Sequence, residues 1–183
     1  MSILFEIQRN TTESNVSISG LLRKCLYFAS KIDNKDFKFW VLNELNGYVN
    51  SSELPNYRIL NCIAKCDLIQ HHNYLTFNNQ LIRLKEDTPD HYKNHCSTLK
   101  VREKVSVIED LLFNNQSGII TAYWDSRLVN KFSNFYKGFD ILRAWSEVPA
   151  NLYFGMLDEI KTRVLQFALE AESHIKGIED IEL

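Results

Sequence analysis

The hydrophobic period of this chain changes at Pro55, so neither a pure helical bundle nor a pure β-sandwich accommodates it. Upstream, Ser17 stands as a helix N-cap, and Ile18, Leu22, Cys25, Leu26, Ala29 and Ile32 recur at helical spacing. A second helix is expected from Asp33, with Asp36 in an acidic first turn. It carries Phe37, Trp40, Val41, Glu44, Leu45 and Tyr48 at i, i+3, i+4, i+7, i+8 and i+11, and Gly47 marks its left-handed end. The short connection makes the pair an αα-hairpin. Downstream of Pro55, Leu60, Cys62, Ala64, Cys66 and Leu68 alternate with Ile59, Asn61, Ile63, Lys65 and Asp67. Gln70-His71-His72-Asn73 reads as a turn, and 74–84 resumes the extended pattern, which predicts a β-hairpin.

Residues 86–96 read as a charged loop around Pro89. Helical spacing returns with Val101, Val105, Ile108 and Leu112, and a further helix is expected from Asp125 to Gly138. Residues 139–145 read as a third strand. Pro149, suited to a first turn, then opens the longest helix, which buries Leu152, Met156, Ile160, Val164, Phe167 and either Leu169 or Ala171. The fold class expected is α+β: a mostly helical domain with a small antiparallel hairpin or three-stranded sheet and a long C-terminal helix. Residues 1–15 read as an N-terminal arm, 16–176 as a single domain and 177–183 as an acidic C-terminal tail.

With 183 residues, the chain is of one-domain size. Its 21 Lys plus Arg against 23 Asp plus Glu remove the argument for a binder that holds nucleic acid over its whole surface. Six glycines leave little material for a phosphate-cradling loop, whereas 3 Trp, 8 Tyr and 11 Phe are a heavy aromatic load. The first nine residues hold only a three-residue apolar run, too short for a signal-peptide core, and no apolar run is long enough to span a membrane. A cytoplasmic location without membrane contact is expected. Cys25, Cys62, Cys66 and Cys96 are accordingly read as thiols rather than a disulfide framework.

Two clusters look catalytic. Cys62-x3-Cys66 and His91-x3-His95, with His71, His72 and Cys96 nearby, offer the donor types of a zinc site. On one strand, however, Cys62 and Cys66 would lie about 13 Å apart, too far to share an ion. The reading preferred is small core residues and polar loop histidines. Asp158, Glu159 and Lys161 with Asp140 resemble the carboxylate–lysine set of metal-dependent nucleases, but Glu159 and Arg163 form an ordinary i, i+4 pair on a solvated helix face. GxSxG, GxxxxGK[ST] and HExxH are all missing. No catalytic residue, cofactor or metal is therefore assigned, and an enzyme is the minority expectation.

A basic–aromatic stretch runs from Tyr123 to Trp145. Trp124, Arg127, Lys131, Phe135, Tyr136, Lys137 and Arg143 interleave rings with cations and form the candidate interaction surface. Rings can stack on bases while cations meet phosphates, but the same rings can fill a core or an oligomer interface. Lys93, Lys100, Arg102 and Lys104 extend the basic middle of the chain, and the charge turns acidic beyond Glu147.

Three segments together resemble one family. Leu21 to Lys31 runs into Phe39-Trp40-Val41-Leu42-Asn43-Glu44-Leu45-Asn46-Gly47-Tyr48, then Leu54-Pro55-Asn56-Tyr57-Arg58; Val148-Pro149 leads to Leu157 through Glu170. This is similar to the AbiTii domain of bacterial abortive-infection and other anti-phage conflict systems, from about Val16 to Glu172. The resemblance implies a small domain of mixed helix with some strand and a non-catalytic interaction or regulatory module, acting by self-association or by docking a defence effector. A nucleic-acid sensor using 123–145 is the alternative, and a metal-dependent hydrolase ranks third. Within the matching strings, Glu44 lies late in a helix, where the dipole disfavours a carboxylate, so a structural ion pair with Arg58 is expected.

Overall fold

The computed structural model describes residues 2–13, 15–48 and 53–174. Among them, helices α1 (Ile3–Thr12), α2 (Ile18–Lys31) and α3 (Lys35–Asn46) lead into a 3₁₀ turn, Asn56–Arg58. Strands β1 (Ile59–Asn61), β2 (Ile63–Gln70) and β3 (Thr76–Leu81) follow, then helix α4 (Asp90–Ser97), strand β4 (Thr98–Lys100) and helix α5 (Val105–Asn114). Strand β5 (Ile119–Tyr123), helix α6 (Ser126–Ser133), strand β6 (Phe139–Pro149) and helix α7 (Ala150–His174) complete the order. The fold is α+β, as the change of period implies. The expected acidic tail at 177–183 lies outside the described residues.

The chain divides into two compact units, each assembled from separate stretches. The first takes the chain up to Arg58, Arg102–Asn114 and the chain from Tyr153 onward; the second takes Ile59–Val101 and Asn115–Leu152.

The first unit is helical. Ser17 Oγ accepts the Gly20 N–H at 3.2 Å and starts α2, which buries Leu21, Leu22, Cys25, Phe28 and Ala29. Asn34, one residue after the expected Asp33, caps α3 by accepting the Phe37 N–H at 3.0 Å, while Asp33 takes the left-handed φ of 51° that turns the chain. Gly47 ends α3 with φ 84°, and a Cβ there would lie 2.8 Å from the Arg102 carbonyl oxygen, so glycine is required on both counts. Where the sequence reads as an arm, Ser2 caps α1 and Ile3, Leu4 and Ile7 are buried on one helical face. In α7, Tyr153, Met156, Leu157, Ile160, Val164, Ala168 and Ala171 are buried at helical spacing, and Leu169 is exposed. Pro149 is the last residue of β6 rather than the first of the helix.

The second unit is built on a four-stranded antiparallel sheet in the order β3-β2-β6-β5, with a separate two-stranded ribbon of β1 and β4. Ile63 to Gln70 pair with Glu147 to Phe139, with a register shift between Asp67 and Leu68. Helix α6, capped by Asp125, sets Val129 and Phe132 among Cys66, Leu68, Ile141 and Ala144. Three local expectations are corrected here. The charged loop at 86–96 contains α4, because Pro89 suits a helix start and Tyr92 and Cys96 pack on the core. Helix α6 stops at Ser133, and turns carry the chain to Gly138 at φ 84°. The sheet also has one strand beyond the expected three, β5, whose five residues bury only Ile120 completely and so carry little alternation.

Candidate functional site

The structure brings Glu44 and Arg58 together at the centre of the first unit, both with side chains 0% exposed. Arg58 Nη2 donates to Glu44 Oε2 at 2.6 Å, and Nε reaches both carboxylate oxygens at 3.2 and 3.3 Å. The hydroxyls of Tyr48 and Tyr57 donate to Oε1 at 2.7 and 2.6 Å, and Trp40 Nε1 donates to the Tyr57 hydroxyl at 2.8 Å. Burial, then the Glu44 charge, pushes both phenols well above their ordinary range. Arg58 Nη1 donates to the Glu103 carbonyl at 2.8 Å, so one guanidinium joins the end of α3, the 3₁₀ turn and the segment before α5. Glu44 and Arg58 are sealed from water behind half-buried Tyr57 and Trp40, and the chemistry of the cluster is that of a clamp.

The catalytic-looking clusters come apart. Cys62 lies between β1 and β2, its N–H bonded to the Ser97 carbonyl at 2.9 Å, so it does not share a strand with Cys66. Among the described residues no group of three or more His, Cys, Asp or Glu side chains is placed to hold a metal. Burial pushes the thiols of Cys25 and Cys96 up to about 12 and that of Cys66 to about 11, which keeps them protonated and poorly nucleophilic. His71 faces Asp140 at 3.1 Å on the surface, His72 is exposed, and His91 lies against Tyr92. His95 Nε2 is buried without a hydrogen-bond partner. Glu159 pairs with Arg163 at 3.0 Å, and Lys161 Nζ donates to the Glu13 carbonyl at 3.2 Å.

The basic–aromatic stretch divides by residue type. Trp124 packs on Phe132 and donates Nε1–H to Ser146 Oγ at 2.9 Å; Phe135 meets Tyr92 and Phe132 edge to face. The Tyr136 hydroxyl accepts the Arg83 N–H at 3.1 Å. These three rings sit half-buried against the core of the second unit. Arg143 pairs with Asp67 at 2.5 Å. Arg127, Lys131 and Lys137 remain exposed, and among the described residues their side chains form no ion pair.

A feature that the sequence reading passed over lies in the first unit. An open cleft of about 650 Å³ is lined by Ile18 of α2, Leu112 and Phe113 of α5, and Phe154, Leu157 and Asp158 of α7. Glu109 also lines it, its carboxylate accepting the N–H groups of Ile18 and Ser19 at 2.5 and 3.2 Å at the start of α2. Phe113 stands 90% exposed at the rim and Phe154 57% exposed across it. Helix α5 is apolar on two sides: Val105, Ile108 and Leu112 are buried, while Val107, Leu111 and Phe113 face water. The signal in the sequence was Phe113, an aromatic following Leu112 outside the stripe Val105, Ile108 and Leu112.

No curated protein and no solved structure matches this chain. A family model, AbiTii, matches residues 2–182, nearly its whole length and both units. The clamp strings around Glu44 and Arg58 and the long α7 both fall inside that match, and the chain belongs to the AbiTii family.

Proposed function

We propose that this chain is a non-catalytic interaction module of an abortive-infection, anti-phage system, and that it acts by associating with a second copy of itself. The family name, which marks abortive-infection systems, supports the setting. One observation carries the mode of action: Phe113, 90% exposed, stands at the edge of an apolar cleft that it helps to line. A protruding ring beside a hole is self-complementary under a two-fold axis, so Phe113 of each copy can enter the cleft of the other. Large rings left in water beside an apolar groove mark contact surfaces, and buried aromatics carry most of the energy of such contacts. The two units are interleaved along the chain and lie within one family match, and we treat them as one functional module.

Light scattering across a concentration series tests this reading. The chain should dimerise, and Phe113→Asp should weaken the dimer by roughly tenfold or more while leaving the melting temperature of the monomer nearly unchanged. In phage plaque assays with the complete defence locus, the same variant should lose protection. A chain that stays monomeric, with the Phe113→Asp variant failing instead to capture a neighbour-encoded effector, would transfer the cleft to that effector. A monomer whose variant protects fully would sink the proposal.

A further inference from the structure

Beyond self-association, the second unit contains a basic pocket that the first unit's cleft does not explain. After β3 the chain stays extended through Ile82-Arg83-Leu84-Lys85, and period 2 sends Ile82 and Leu84 to the core while Arg83 and Lys85 share the opposite, exposed face. The turn at 85–88 then folds back, with the Thr88 N–H bonded to the Lys85 carbonyl at 3.1 Å and Thr88 itself buried, 6% exposed. The facing wall is the loop after α6, with Asn134, Phe135 and Lys137. The Arg83 N–H to Tyr136 hydroxyl bond ties the two walls together, so the concavity is built into the resting fold. Its volume is about 390 Å³.

The chemistry of the lining points one way. Arg83, Lys85 and Lys137 bring three cations against one carboxylate, Asp87. Among the described residues, none of the three cationic side chains forms a hydrogen bond or an ion pair. Cations used for stability elsewhere in this chain are paired, as Arg58, Lys65 and Arg143 are. Arginine with two lysines is a donor set for phosphate oxygens. The Thr88 hydroxyl and Asn134 amide are neutral donors and acceptors on the same wall, and Phe135 offers an apolar surface in a half-buried position. Helix α4 starts at the pocket's edge after Pro89, and Asp90 in its first turn takes up the positive end of its dipole, so the cationic character of the pocket rests on the three side chains.

We propose that this pocket binds a nucleoside phosphate, the phosphates held by Arg83, Lys85 and Lys137 and the nucleoside resting against Phe135. The size is that of a small-molecule site. A single-stranded polymer is disfavoured because such strands need successive open rings for stacking. Here Trp124 and Phe132 are turned into the core, leaving Phe135 as the pocket's one ring.

Calorimetric titration of the full chain with AMP, ATP, GMP and GTP tests the proposal, with inorganic phosphate, pyrophosphate and a short single-stranded oligonucleotide as further probes. At least one nucleotide should bind more tightly than phosphate or pyrophosphate, and its affinity should fall as salt rises. Arg83→Glu/Lys137→Glu should weaken it by roughly tenfold or more, since each charge-assisted contact is worth that much. Both residues are exposed, so the melting temperature without ligand should be kept. Arg127→Glu/Lys131→Glu, which reverses the exposed cations of α6 outside the pocket, should leave nucleotide affinity within the change expected from net charge. Equal losses in the two double variants would overturn the site in favour of a diffuse charge effect. Binding of phosphate as tightly as any nucleotide, of the oligonucleotide alone, or of nothing at all would overturn it as well. None of these results depends on whether Phe113 forms a dimer.

Discussion

At the scale of the residue, the Glu44–Arg58 clamp carries the sharpest energetic argument. A charge removed from water is tolerable only when its partner and hydrogen bonds replace the solvent. Glu44 is so compensated, taking two phenol hydroxyls and three guanidinium contacts. Glu44→Ala would leave Arg58 buried without its counter-ion and should cost about 3–5 kcal/mol in urea unfolding. The double variant Glu44→Ala/Arg58→Met removes both charges and should regain much of that loss, because the penalty lies in the orphaned charge. If Glu44→Ala costs less than about 1 kcal/mol, the pair does not act as a clamp. The pair was readable in the sequence because a carboxylate late in a helix asks for a cation. The two tyrosines and the tryptophan were not, since nothing in their spacing says that three rings converge on one oxygen.

At the scale of the element, helices and strands with strong periodicity were legible, and the short ones were not. Helices α2 and α3 carry an N-cap and an apolar stripe, and β2 alternates apolar and polar residues from Ala64 to Leu68. Helix α4 spans eight mostly polar residues with none fully buried, so pattern alone gives a loop. The basic pocket was half legible for the same reason. Phe135 and Lys137 stand in the conspicuous basic–aromatic stretch, whereas Arg83 and Lys85 become neighbours only once the chain turns back across Tyr136. Helix α4 also holds a pH-dependent contact. His95 lies edge-on to Trp124 at 4.7 Å, its Nε2 buried and unpartnered. Burial holds its pKa below the ordinary 6.5, with Asp125 pulling weakly the other way. The unfolded chain therefore takes up a proton near pH 6.5 that the folded chain resists, so stability is full above that value and is lost as pH falls through the depressed one. The melting temperature should drop between about pH 7.5 and about pH 5.5, and His95→Phe should flatten that drop. An unchanged slope in His95→Phe would assign the pH dependence to other groups.

At the scale of the whole molecule, the interleaving of the two units has a thermodynamic consequence. The chain crosses between them at 58/59, 101/102, 114/115 and 152/153. The first unit must therefore close two excursions of roughly forty residues each, and the second must close one of about a dozen. When either unit is folded it holds the ends of the other's excursions, much as a cross-link does. By the loop-closure estimate such a constraint is worth roughly 3–4 kcal/mol per excursion, before any direct contact is counted. Each unit should therefore be distinctly less stable once the other has unfolded, and urea should unfold both together. The tryptophans report on this separately, because Trp40 lies in the first unit and Trp124 and Trp145 in the second. A Trp124→Phe/Trp145→Phe variant reads the first unit by fluorescence, and Trp40→Phe reads the second. After correction for each variant's overall stability by circular dichroism, the two midpoints should coincide. Glu44→Ala, made in the Trp40→Phe background, should then shift the transition reported by Trp124 and Trp145, although neither tryptophan belongs to the unit that carries the clamp. Separate midpoints, or no effect of Glu44→Ala on the transition reported by Trp124 and Trp145, would show that the units unfold independently and that interleaving does not couple them.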